Sequence, residues 1–536
     1  MREILKTWKT TWLGLMIAGL VFSAYLPALR GGFIWDDDRH VSANAAVIDP
    51  AGLGRIWRVG NTPQYYPIVF SAFWFQHRVW GGRAEGYHAV NAALHAVNAL
   101  LIYLLVLRLG FRGAALAALL FALHPVQAET VAWISELKNI LSTFFFLLAA
   151  LSWLEYEDRG GRRWYAGAAV LYLLALLSKT TTCVFPVALL LLRWMRGRRI
   201  DAAFLRELAP FIAFGAAFGA HTISVESALE RAVGPEYDLT FLQRLLISGR
   251  AAWFYLGKLV VPANLSFAYE RWNVDPAYAV HWLGLAGLAA GAWGLRRLAS
   301  RELAAAAAFY LAALVPALGF FKIYPQRYSF VADHFQYLAC IGPFVAAGVL
   351  ASRAVGHLER SNRRLLLVFA AAALWIGARA RAAAFRSEEA VWTDAAVKQP
   401  GAYIAQLNLG KILADQGRYG EAFARYEATL KLKPGLPEAY VNMGNALLVA
   451  GRHEQAILRY RQALAGGARP AVARSARNNL GVALANLKRW KEAAGVYREA
   501  LRARPDDREA RANLCAVLAE KKDAAELRRF GCSPRP

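Results

Sequence analysis

Three consecutive carboxylates, Asp36, Asp37 and Asp38, follow Trp35 and precede Arg39 and His40, shortly after the first apolar run of the chain. Adjacent carboxylates repel one another, which tends to raise the pKa of at least one of them. A group of this kind can take a proton from a hydroxyl or bind a cation; an Asp in such a loop can equally cap the next helix. A second polar segment, His124 to Asn139, sets Glu129, Glu136 and Lys138 between two apolar runs, where polar groups need partners and line cavities. A third break carries Ser178 and Lys179 followed by three threonines, and a fourth carries Arg327, Asp333, His334 and Tyr337. A carboxylate opposite Lys138, Lys179, Arg327 and His334 suits a reaction in which a base activates a nucleophile and fixed cations receive a departing phosphate. Interfacial anchoring also accounts for Lys179 or Arg327, and an internal Glu–Lys pair that fixes the loop accounts for the second segment. His88, Asn91 and His95, at i, i+3 and i+7, share one helix face. With no third ligand beside them, hydrogen bonding in a cavity is expected rather than metal binding. No CxxC or HExxH spacing occurs; a divalent metal is compatible with the acidic loop but not implied by it.

Those residues must be positioned by helices in a membrane. Of 536 residues, 57% are hydrophobic and 19% charged, with mean hydropathy +0.28, against about 25% charged in ordinary soluble domains. The net charge of +25 comes largely from Arg clusters between apolar runs, as orientation signals do, which excludes a soluble DNA-binding protein. Four Cys cannot form a disulfide framework in this length: Cys183 and Cys340 lie in apolar runs, Cys515 and Cys532 near the C-terminus. The run from Trp12 to Leu29 follows Arg2, Lys6 and Lys9 and reads as an uncleaved first transmembrane helix. Eleven further runs reach residue 379, several shorter than the roughly 20 residues of a perpendicular span. With Lys6 and Lys9 in the cytoplasm, Arg108 with Arg112, Arg159 to Arg163 and Arg193 to Arg199 fall inside in alternation. Arg296 to Arg301 and Arg353 to Arg364 also fall inside, provided that 241–262 is re-entrant or lies on the surface. Eleven spans then remain, and Asp36 shares the outer face with the C-terminal region.

From about residue 385 the chain turns Ala-rich, charged and amphipathic. Leu409, Gly410, Gly417, Tyr419, Ala422, Tyr426 and Pro434 match the 34-residue tetratricopeptide pattern. Equivalent sets recur from Met443 and from Leu480, and a truncated unit begins near Arg508. The domains are therefore expected at 1–380 and 385–530, with repeats at about 403–436, 437–470, 474–507 and 508–530. Asn408, Asn442, Asn479 and Asn513 recur at one repeat position, spaced by 34, 37 and 34 residues. Facing the concave groove, such amides can hydrogen-bond a peptide backbone without reading its sequence; the position also favours Asn in the repeat consensus.

The chain resembles the transmembrane and tetratricopeptide-repeat protein O-mannosyltransferases, within the GT-C superfamily of polyprenyl-phosphate-sugar glycosyltransferases. The resemblance rests on Trp35-Asp36-Asp37, on Tyr87 and His88 with Asn91 and His95, on His124 to Glu129, on Ser178-Lys179, on Asp333-His334 with Tyr337, and on the repeats. It implies an all-α fold, a GT-C-like bundle followed by an α-solenoid, and inverting transfer of mannose or another hexose from a polyprenyl phosphate to Ser/Thr hydroxyls. By that pattern Asp36 or Asp37 is the base, Asp38 is an addition that blurs which, and His334 stands where many relatives have Arg. Trp35, Asp38, His88, Asn91, His95, His124, Glu129, Asp333 and Tyr337 then line the cavity. The Ala- and Arg-rich composition implies a bacterial inner-membrane protein using undecaprenyl phosphate, with membrane lipids, the lipid-linked donor and protein acceptors as partners and no nucleic acid. A membrane-anchored repeat scaffold, needing no acidic loop, and a GT-C enzyme acting on glycans or lipids, needing no Asn groove, are the alternatives.

Overall fold

The computed structural model describes residues 8–228, 235–298, 300–521 and 523–532; Arg2 and Lys6 lie outside them. The described residues are helical, with no strand among them. They form two compact units, Met1–Asp394 and Ala395–Pro536.

The longer helices of the first unit are α1 (Trp8–Leu29), α2 (Pro67–Trp80), α3 (Ala84–Arg108), α4 (Ala114–Leu123) and α5 (Leu137–Arg159). They continue as α6 (Arg162–Ser178), α7 (Phe185–Met195), α8 (Ala202–Ala228), α9 (Phe241–Val260), α10 (Leu283–Leu298) and α11 (Arg301–Leu314). The unit ends with α12 (Ile341–Ala354), α13 (Arg360–Ala382) and α14 (Glu388–Lys398), which runs on into the second unit. Most of these helices share a core that includes Val106, Phe121, Trp153 and Tyr172, while α2 packs through Val69, Phe70 and Phe73 in a separate cluster with Tyr87 and Leu137. Trp153 packs edge-on against Phe211 at 5.5 Å, a geometry that aromatic quadrupoles favour.

Every expected apolar run forms helix, but the expected eleven spans are not reached on length and composition. Five helical stretches suffice: Thr10–Leu29, Ala84–Arg108, Ile134–Arg159, Ala202–Val225 and Arg360–Phe385. A sixth is reached if Ala114–Leu123 and Pro125–Ala132, bent by 47°, make one broken span. The shortfall has a local cause. Polar breaks at His124, Lys179 and the 315–340 region interrupt the hydrophobic runs, leaving α6, α7, α11 and α12 with 17, 11, 14 and 14 residues. Broken helices at membrane depth are tolerated where protein or a polar cavity satisfies the freed backbone.

The second unit pairs α15 (Tyr403–Asp415) with α16 (Tyr419–Leu432), and α17 (Pro437–Val449) with α18 (His453–Ala465). It continues with α19 (Pro470–Asn486), α20 (Trp490–Ala503), α21 (Arg508–Glu520) and α22 (Ala524–Arg529). The recurrent Gly has a steric reason. A Cβ on Gly410, Gly444 or Gly481 would stand 2.7, 2.5 or 2.4 Å from the ring of Tyr426, Tyr460 or Tyr497 on the partner helix. Cys515 and Cys532 form a disulfide with Cα atoms 5.6 Å apart, tying α21 to the end of α22.

Candidate functional site

The loop that follows α1 is bound to the rest of the unit through Asp37. Its carboxylate is fully buried: Oδ1 accepts from the Ser135 amide at 2.8 Å and the Ser135 hydroxyl at 2.5 Å, and Oδ2 accepts from the Ile34 amide at 3.0 Å. Burial pushes the Asp37 pKa up to about 7, against the pull of these three donors. Asp36 differs. It is half-buried, and its carboxylate accepts no hydrogen bond among the described residues, while its backbone carbonyl accepts from the His40 amide at 3.0 Å. Asp38 is exposed, with Oδ1 held by the Arg39 amide at 2.6 Å. Three adjacent carboxylates thus have three environments, and only Asp36 offers an unoccupied acceptor in a sheltered place.

The Ser135 anchor brings the loop against the turn that opens α5. There Glu136, fully buried, accepts Lys138 Nζ at 2.8 Å and the Asn139 amide at 2.5 Å, with Lys179 Nζ and His334 Nε2 each at 3.8 Å. Lys179 also donates to Asn139 Oδ1 at 2.7 Å, and His334 Nδ1 pairs with Glu129. The Asn139 amide reaches the His334 carbonyl at 3.0 Å, and Lys138 lies over the Trp133 ring at 5.4 Å. Residues from three polar breaks therefore meet around one carboxylate. The His40 ring joins them: Nδ1 bonds to the Asp36 carbonyl at 2.8 Å, and Lys138 and Glu136 lie within electrostatic reach. Burial first and then Lys138 hold the His40 pKa below its ordinary value.

The remaining candidates divide by what their polar atoms do. His95 bonds Tyr337 at 2.8 Å and the Ala122 carbonyl at 3.1 Å, and Asn91 donates to the Trp133 carbonyl at 3.2 Å. His124 bonds the Leu259 carbonyl at 3.1 Å, and the Tyr269 hydroxyl donates to Asp333 at 2.8 Å. These contacts fix the helix breaks around the site. His88 is buried beside the Gly32 backbone. Trp35 packs its ring on Trp392 at 4.9 Å. Arg327 forms an ion pair with Glu236 at 3.0 Å, a partner outside the Glu136 cluster. Sequence reasoning left open which Glu of the second segment pairs with Lys138, did not give Glu136 this central place, and assigned no role to Asn139 or Ser135. Nothing in their local spacing marks them, because their partners come from distant segments.

In the repeat unit, three of the four aligned amides are already engaged. Asn408 donates back to the Ile404 carbonyl at 2.9 Å, Asn479 to Asn445 at 2.8 Å and Asn513 to Asn478 at 2.7 Å. Asn442 makes no side-chain hydrogen bond among the described residues.

Residues 63–220 match the family model described as dolichyl-phosphate-mannose-protein mannosyltransferase, and residues 410–449 and 441–527 match tetratricopeptide-repeat models. A protein O-mannosyl-transferase of Caenorhabditis elegans is 24% identical over 78% of this chain and 62% of its own length. The chain is thus similar, over its membrane and repeat segments, to repeat-bearing protein O-mannosyltransferases. The Drosophila melanogaster protein O-mannosyl-transferase Tmtc2 is 32% identical over 38% of this chain and 24% of its own length. The human protein O-mannosyl-transferase TMTC2 is 29% identical over 29% of this chain and 21% of its own length. The chain thus spans less than two thirds of the length of these relatives. The matched segment 63–220 contains the Glu129–Glu136–Lys138–Lys179 cluster, while the Asp36 loop lies before it.

Proposed function

We propose that this chain is a membrane mannosyltransferase that moves mannose from a polyprenyl-phosphate carrier to Ser/Thr hydroxyls of polypeptides presented by the repeats. The observation that carries the reading is the juxtaposition, through Asp37 and Ser135, of an unoccupied Asp36 carboxylate with the Lys138–Lys179 pair. Asp36 takes the proton of the acceptor hydroxyl as its oxygen attacks the anomeric carbon and the bond to phosphate breaks. Lys138 and Lys179 exchange part of their contact with Glu136 for the leaving phosphate, and single displacement inverts the anomeric centre. Asp37 is the tether, not the base.

The proposed orientation is supported by α5. Its C-terminal end gathers Arg108, Arg159, Arg193, Arg196 and Arg198 around Glu155, Glu157 and Asp158. An Arg-rich end is cytoplasmic by the positive-inside rule, and α5, at about 1.5 Å per residue, is long enough to set Glu136 on the other side. The disulfide between Cys515 and Cys532 favours an oxidising compartment for the repeats as well, as in a bacterial envelope with undecaprenyl phosphate as carrier.

The test is transfer of mannose from synthetic polyprenyl-phosphate mannose to protein by the purified full chain. The reading expects transfer by the wild type and almost none by Asp36→Asn. No transfer to any protein, with transfer to glycan or lipid acceptors after removal of residues 395–536, would replace it with the glycan-directed alternative. Unaltered envelope phenotypes in Asp36→Asn cells would favour the scaffold.

A further inference from the structure

Trp35 adopts φ +49°, in the left-handed region that a bulky aromatic residue occupies only when its surroundings impose it. The following residues, Asp38–Ser42, wind into a single π-helical turn, a form found frequently at functional sites. Asp37 restrains this loop from the Ser135 side, which leaves open what holds Trp35 and aims Asp36. The opposite side is covered by the segment that follows α13. Gly31 lies against its backbone: a Cβ there would stand 3.0 Å from the Arg386 carbonyl oxygen and 3.1 Å from that of Phe385. Four residues later the Trp35 ring meets Trp392 edge-on, at 4.9 Å and 68°.

The segment is itself rigid. Phe385 and Trp392 are 1% and 2% exposed, and both pack on Phe267, at 6.1 and 5.1 Å. Arg381 bridges its ends, with its guanidinium over Phe385 at 4.9 Å and an ion pair to Asp394 at 2.5 Å. Phe267 continues the aromatic contact to Trp133 at 5.1 Å, and Trp133 touches both Lys138 and His334. The segment thus packs on the same aromatic cluster that borders Lys138 and His334.

We infer that residues 385–392 form a clasp that holds the Asp36 loop in its reactive conformation, with Trp392 a positioning residue that acts through Trp35. The inference rests on Asp36 being the base proposed above. A misaligned base loses proton transfer while the lysines still bind the donor, so the clasp governs kcat and leaves the donor KM alone.

Trp392→Ala, Trp392→Phe and Gly31→Ala are compared with wild type in the transfer assay, together with Trp35→Ala and the Trp35→Ala/Trp392→Ala pair. Trp392→Ala should lower kcat about 100-fold, the scale of an ångström-sized misplacement, with donor KM within about twofold. Trp392→Phe, which keeps an edge-on ring, should restore most of that loss. Gly31→Ala, which leaves Trp392 intact, should lower kcat in the same pattern. The double variant should be no worse than Trp35→Ala alone. Wild-type kcat in Trp392→Ala, additive losses in the pair, or parallel losses in kcat and donor affinity would overturn the clasp. Asp36→Asn in the same assay separates the two readings. If it transfers normally, the assignment of the base fails; if it is inactive while Trp392→Ala is normal, only the clasp fails.

Discussion

The two ends of α5 solve the same problem in opposite ways. At its C-terminal end Glu157, 1% exposed, faces Arg193 and Arg196 at 3.1 Å each and Arg198 at 3.8 Å, while Asp158 takes Arg198 at 2.6 Å and Arg108 at 2.5 Å. Forked guanidiniums match carboxylates in fixed geometry and do not lose their charge. At the N-terminal end Glu136 faces two lysines and a histidine, and two of the three contacts are 3.8 Å long. Lysine is a compact charge on a flexible stem, able to turn from one anion to another. The first end is a clamp and the second holds its partners more loosely, as the proposed exchange with phosphate requires, and the contrast comes from the cation chosen rather than from the number of charges.

The largest effect should come from the group that neither end engages. Asp36→Asn is expected to cut transfer by about 10²–10⁴-fold, the usual contribution of a general base, with insertion and thermal stability unchanged. A rate within twofold of wild type would return Asp36 to the role of a solvated loop residue. Next, Lys179→Met should weaken binding of a polyprenyl-phosphate analogue about tenfold or more, consistent with charge-assisted hydrogen bonds of about 1.5–3 kcal/mol. Equal binding in Lys138→Met and Lys179→Met would make these lysines mere counterions of Glu136.

The C-terminal end should respond in the other currency. Glu157→Gln is expected to lower stability by about 2 kcal/mol, less than the 3–5 kcal/mol of a fully buried pair because its arginines are partly exposed, with turnover per folded molecule preserved. A thermal shift in detergent read beside kcat checks this; lost turnover at normal stability would erase the distinction. In the repeats, joint replacement of Asn408, Asn442 and Asn479 by Ala should raise KM for long protein acceptors severalfold and leave a short peptide nearly unaffected, since only the long chain gains effective concentration. Equal losses on both would show damage to the solenoid, where Asn479 holds Asn445.

A separate expected signal is a pH slope from Asp37. Its folded pKa, about 7, lies above the unfolded value near 3.9, so the native state holds the extra proton between them. Stability from this group is therefore full below about pH 4 and declines as pH rises towards 7. Unfolding midpoints of wild type and Asp37→Asn across that window test it: the variant should lack this component of the slope. Identical slopes would mean that the Ile34 and Ser135 donors keep the carboxylate ionised throughout.

What the sequence determined by itself was periodic or contiguous. The apolar runs, the Arg clusters, the acidic triplet and the 34-residue repeat all declare themselves within a few turns of chain, because helix periodicity and interhelix Gly–Tyr packing act over short separations. The division of labour inside the triplet was not legible, since Asp36 and Asp37 are chemically identical until Ser135, 98 residues away, occupies one of them. Glu136 gained its central place only when Lys179 and His334 converged on it, and Arg327 found Glu236 instead. The span count likewise depended on where polar breaks fold back into protein, which hydropathy cannot see. The repeat position of Asn was plain, yet whether its amide is free depends on Ile404, Asn445 and Asn478. Hydrogen bonds and ion pairs are short-ranged and saturable, so which polar atoms stay available for substrate is decided only by the tertiary contacts that satisfy the others.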